Sequence, residues 1–222
     1  MKVQKTLLAM ILAASVGQAI AADSVDIKVI GTILPAACEA TLSSGGVLDY
    51  GDIPAKTLKK DDITVLSVKT AAFAITCDSE TKVALRSLDA RAGTSVAVNG
   101  INLLDTPITA STALNGLGAV GGVNTGAYAM AIDSLTLDHD GGIQLAEIQS
   151  MDNGQSWSLE PGHTWFGGEG TILHSWGNPS PVAFTTMTGE LMVQAVINKA
   201  SELDLSKPIA LDGLSTLELV YL

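Results

Sequence analysis

The chain has 222 residues, with 23 acidic against 12 basic side chains and a formal net charge of −11. That balance excludes a nucleic-acid surface, whose phosphates need a basic face, and argues against docking on anionic lipid. Trp, Tyr and Phe occur three times each, too few to build the two aromatic girdles of an outer-membrane barrel. The 22 glycines separate short runs of Val, Ile, Thr and Leu, which is the texture of an all-β chain with one main domain.

Residues 1–21 read as an export signal. Lys2 and Lys5 form a basic start, residues 7–16 are apolar except for Ser15, and Ala19-Ile20-Ala21 supplies the small-x-small cleavage pattern. Cleavage is expected after Ala21, with Ala22 as the neighbouring alternative. The apolar run is too short to cross a hydrocarbon core of about 30 Å, and no later stretch approaches about 18 apolar residues. The mature chain is therefore expected to have no transmembrane segment. It divides into an N-terminal extension, residues 22–34, and a β-domain, residues 35–222.

Within the extension, Val25, Ile27 and Val29 share one face of an alternating strand, opposite Ser24, Asp26 and Lys28. Gly31 either lets two backbones approach closely or marks the bend into the domain. Cys38 and Cys77 are the only cysteines. In an oxidising periplasm an isolated pair is most simply a disulfide, closing a loop of about 40 residues and contributing about 4 kcal/mol in the chain-entropy account. A metal site would need more ligands at tighter spacing; two free buried thiols are the other reading. Alternation recurs at Phe73, Ile75 and Cys77, at Leu191, Val193, Ala195 and Ile197, and at Leu217, Leu219 and Tyr221. Residues 113–127, glycine-rich and apolar, read as a long sandwich loop rather than a linker. The only contender for a helix, residues 194–203, continues the strand alternation better than it forms a helical stripe.

No motif for catalysis, metal or cofactor is found. His139, His163 and His174 lie near no G-x-S-x-G elbow and in no H-E-x-x-H. Asp138-His139-Asp140-Gly141 resembles the start of a calcium loop, but its twelfth position is Gln149, not Glu. Asp133, Asp138 and Asp140 are expected in turns. Trp157, Trp165 and Trp176 fall in one glycine-rich stretch. Loop aromatics can stack sugar rings, so these three are candidate ligand aromatics, with ordinary packing as the plainer explanation.

Four features in order resemble the chaperone–usher pilins. The signal is followed at once by the alternating ADSVDIKVIG, then by a cysteine in GTILPAACEATL. The second cysteine ends the apolar AAFAITC, and the chain closes on STLELVYL with a penultimate tyrosine. The closing IALDGLSTLELVYL and the length are similar to the larger fimbrial-like proteins of proteobacteria, often catalogued as a domain of unknown function. Many pilins carry a glycine fourteen residues from the C-terminus; here that position is Ile209, and Gly213 is the nearest.

This resemblance implies an incomplete immunoglobulin-like β-sandwich lacking its last strand. A periplasmic chaperone, and then the N-terminal strand of a neighbouring pilin subunit, would fill its groove, with an outer-membrane usher directing assembly into a surface fimbrium. Val25, Ile27, Val29 and Gly31 would be the donor strand. Leu217, Leu219 and Tyr221 would form the groove edge met by the chaperone, whose basic residues would hold the Leu222 carboxylate. A monomeric exported carbohydrate-binding domain or a tip adhesin is the alternative. A tip adhesin would place its pilin module second, whereas the cysteine pair here lies at the front.

Overall fold

The structure, a computed structural model, describes residues 27–33, 36–109, 114–138, 146–159 and 164–222. The export signal, Val25, His139, Asp140 and His163 lie outside the described residues. The chain divides into two units at Leu34/Pro35. In the first, residues 27–33 form no strand, and Ile27, Val29, Ile30 and Ile33 are 81–98% exposed.

The second unit is all-β, built where period-two alternation buries one face of each strand. Among the described residues eleven strands form two antiparallel sheets, ten of them along the main paths: β1 (Cys38–Leu42), β2 (Thr64–Thr81), β3 (Val83–Asp89), β4 (Gly126–Asp138), β5 (Ala146–Ser150), β6 (Ser158–Leu159), β7 (Thr164–Trp165), β8 (Leu173–Gly177), β9 (Phe184–Ile197) and β10 (Ser215–Tyr221). The first sheet has the order β1–β2–β9–β4–β7, with Asn115–Gly116 as a further short strand on β4. The second has the order β6–β5–β8–β3–β10. The order β1–β2–β9–β4 is the ABED order of an immunoglobulin sandwich, and β3–β10 is its C–F pair. Among the described residues no strand lies beyond β10 in the G position.

The inner faces meet in a core that includes Phe73, Ile75, Leu85, Met130, Ile132, Trp176, Phe184, Met187 and Leu191. Phe73, Ile75 and Cys77 are buried, as are Leu191, Val193, Ala195 and Ile197. β9 is the central strand, paired with β2 on one side and β4 on the other. It takes up residues 194–197, and only Ala200–Glu202 forms a short 3-10 turn beyond it.

A second apolar cluster covers the outer face of the first sheet. Ala127, Ala129 and Ala131 of β4 alternate with the inward Tyr128, Met130 and Ile132, and meet Val98, Leu103, Leu104 and Ile108. Small outward side chains allow the connecting segment to lie close on β4. Of residues 113–127, expected to be loop, the described part contains the Asn115–Gly116 strand, a hairpin pairing Ala119–Val120 with Val123–Asn124, and the first two residues of β4. Asp133 and Asp138, expected in turns, lie within β4. The pairing of β4 with β9 overrides the turn preference of aspartate.

Candidate functional site

The feature that stands out is an apolar groove between two strands with an unpaired edge. β1 ends the first sheet and β10 ends the second, so each has one side without a ladder partner among the described residues. Cys38, at the start of β1, donates its backbone N–H to the Tyr221 hydroxyl near the end of β10 (2.8 Å). At the other end, Leu42 and residues 213–217 line the same cleft. The two edge strands therefore run in opposite directions across the groove.

The cleft measures about 440 Å³, with Phe73, Leu117, Met130, Leu191, Val193 and Ala195 as its apolar floor and Leu217 in its wall. It continues into a wider trough of about 800 Å³ between residues 45–58 and 203–214. Gly46, Leu48, Tyr50, Leu211, Gly213 and Leu214 line both. Leu219 packs, half-buried, against the same core, while Tyr221 and Leu222 are exposed. The backbone N–H of Leu222 reaches Lys82 O at 3.1 Å.

Two tyrosines give the groove its polar anchors. The Tyr50 hydroxyl donates to Val193 O (3.2 Å) and accepts from Ala195 N (3.1 Å). These groups lie where a bulge between Gln194 and Val196 interrupts the β9–β2 ladder, so the phenol occupies a gap that a regular ladder would not have. Burial raises the Tyr50 pKa, partly offset by the bond from Ala195. On the opposite side, the Tyr128 hydroxyl lies 2.5 Å from Ser215 Oγ, which donates to Asn115 Oδ1 (3.0 Å). Asn115 Nδ2 in turn donates to Phe166 O (3.2 Å). Burial pushes the Tyr128 pKa up to about 12.

The lip at residues 212–214 is pinned from outside. Arg91 Nε and its terminal nitrogen donate to the two Asp212 carboxylate oxygens, both at 2.8 Å. The guanidinium holds the Asp212 pKa below its usual range. A Cβ on Gly213 would come within 2.9 Å of both Leu117 Cδ2 and Tyr128 Cε1, so this position takes no larger residue without movement of the groove wall.

The disulfide joins Cys38 and Cys77, directly paired residues of β1 and β2, 39 positions apart in sequence. It ties the five-residue edge strand to β2. Ile27, Val29 and Gly31 lie in the first unit and are exposed.

The three tryptophans are not brought together. Trp176 is in the core, edge-on to Phe184. Trp165 is half-buried against the outer cluster. Trp157 lies near Leu173 and Leu222, around Gly154. His174 is buried edge-on to Phe166. Among the described residues no three His, Cys, Asp or Glu side chains are grouped to hold a metal, and no helix is long and apolar enough to cross a membrane. Sequence reading missed Tyr50, Leu117, Tyr128 and Gly213 as groove residues. Only the C-terminal glycine pattern pointed towards Gly213.

Two comparisons bear on this geometry. The chain is similar to Protein GltF of Escherichia coli (strain K12), 29% identical over 241 residues, with 92% of this chain and 91% of the relative covered. It is also similar to the Uncharacterized protein YhcF of the same strain, 28% identical over 224 residues, with 91% and 92% covered. Residues 27–130, from the exposed extension through the disulfide and into β4, match the family described as "Protein of unknown function (DUF1120)".

Proposed function

We propose that this chain is a structural subunit of a surface fimbria, exported through the periplasm and assembled by donor-strand exchange with a periplasmic chaperone and an outer-membrane usher, in support of adhesion. The observation that carries the reading is the apolar groove between two unpaired, oppositely directed edge strands. Such edges hold N–H and C=O groups ready to pair with an added strand. A strand inserted there completes a ladder on each side and covers Phe73, Leu117 and Met130. Residues 27–33, exposed and apolar at alternate positions, have the character of that strand. Burying three side chains such as Val25, Ile27 and Val29 is worth about 5–9 kcal/mol before ordering costs.

In delivery, the chaperone would pair with β10 beside Leu217, Leu219 and Tyr221 and hold the Leu222 carboxylate. The alternative, a monomeric carbohydrate-binding domain or tip adhesin, draws less support, because Trp176 is buried and cannot act as an exposed stacking platform. No enzymatic activity is assigned. Deleting residues 23–33 tests the reading. The shortened chain should fold, bind its chaperone and accept a donor strand, yet fail to extend a polymer. Unimpaired polymer growth from the shortened chain would contradict it.

A further inference from the structure

The inserted strand must place its apolar face inward, which restricts its register against β10. Leu217 and Leu219 pack on the core, so Thr216, Glu218 and Val220 form the outward face of β10. In the extension, Ile27, Val29, Gly31 and Ile33 are the inward set, and Lys28, Ile30 and Thr32 the outward set. Inward must meet inward, so Lys28 can face only Thr216, Glu218 or Val220. The extension has one basic residue, and the outward face of β10 has one acid. On the other rim, the only charged residue of β1 is Glu39. Arg86 engages Glu218 through Nε to Oε2 at 2.7 Å. The second carboxylate oxygen, Oε1, is the atom that a lysine on a neighbouring strand would reach.

Resting on the donor-strand reading above, we infer that the occupant of the groove is the extension of a second copy of this chain, registered by Lys28 facing Glu218. In the orientation antiparallel to β10, the longer of the two free edges, this register sets Ile27 beside Leu219 and Val29 beside Leu217. Gly31 then falls beside Ser215, where the Tyr128 bond crosses the groove wall. A shift of two residues either way places Asp26 or Ile30 against Glu218 and leaves Lys28 facing Thr216 or Val220. Opposite charges directly across an antiparallel pair stabilise it, and like charges do the reverse.

The test uses the full chain and a fluorescent peptide of residues 23–33 at low ionic strength, with a Lys28→Glu peptide, a Glu218→Lys chain and their combination. Each single reversal should weaken association roughly three- to tenfold, as expected for one rim pair turned repulsive. The combination should return to within about twofold of the original pair, and added salt should shrink all the differences. A Val29→Asp peptide reports on groove entry separately. If the native peptide binds, the Val29→Asp peptide does not, and the charge reversals have no effect, the Lys28–Glu218 register is wrong while strand insertion stands. If no peptide binds, both readings fail. The Lys28→Glu peptide alters no residue of the folded domain, so its result does not depend on variant folding.

Discussion

Tyr128 ties the start of β10 to β4 through Ser215, and its value near 12 follows from burial. A phenol whose pKa is raised on folding contributes stability that is complete below its unfolded value near 10 and lost as pH rises through the folded value. The groove wall is therefore expected to loosen between pH about 10 and about 12, as read by urea midpoints. Tyr128→Phe should remove much of that alkaline slope and cost about 1 kcal/mol near neutral pH. Asp152 behaves in the opposite sense. The hydroxyl and backbone N–H of Ser156, with the Ser150 hydroxyl, hold its pKa at about 2. Its contribution is present above about 4 and fades as pH falls towards about 2, so Asp152→Asn should flatten the acid limb of the stability curve. Gly213→Ala should cost roughly 1–3 kcal/mol, because Leu117 or the Tyr128 ring must yield. The same change should also weaken strand uptake, which peptide binding measures.

Among the elements, β1 depends most on covalent support. Among the described residues only β2 pairs with it, over five residues, and an edge strand this short frays easily. Replacing Cys38 and Cys77 with serine should lower unfolding stability by about 2–4 kcal/mol and increase amide exchange in residues 38–42 more than in β9. Equal protection of both strands in the variant would show that the bridge does not hold the edge. Phe73, Ile75 and Cys77 were visible in the sequence because their strand has one accessible face there, Ala74 and Thr76 pointing outward. Leu191, Val193, Ala195 and Ile197 were visible through the polar Gln194 between them, although Met192 and Val196 on the same outer face meet the second apolar cluster. β4 was hidden because Ala127, Ala129 and Ala131 are buried on its outer face, so its run AYAMAI has no apolar-polar period. The groove was legible only as one edge, Leu217, Leu219 and Tyr221, and that through the pilin resemblance. Tyr50, Leu117 and Gly213 reach it from connecting segments, where no periodicity marks which side chain turns inward.

At the scale of the molecule, the sandwich among the described residues completes the ABED side and stops at F on the other. Its core is continuous, yet one wall of it is a groove rather than a strand. A neighbouring copy that fills this gap leaves its own groove for the next, so the expected assembly is an open, head-to-tail polymer. In the proposed polymer each inserted strand would have to leave whole for the chain of copies to break, which would make the assembly kinetically rather than merely thermodynamically persistent. The most direct measurement is a denaturing gel of the purified full chain, run with and without boiling. The unboiled sample should give a regular ladder of oligomers that collapses to a single band on boiling, and the Val29→Asp chain should give no ladder. A single band from the unboiled sample would contradict the donor-strand account.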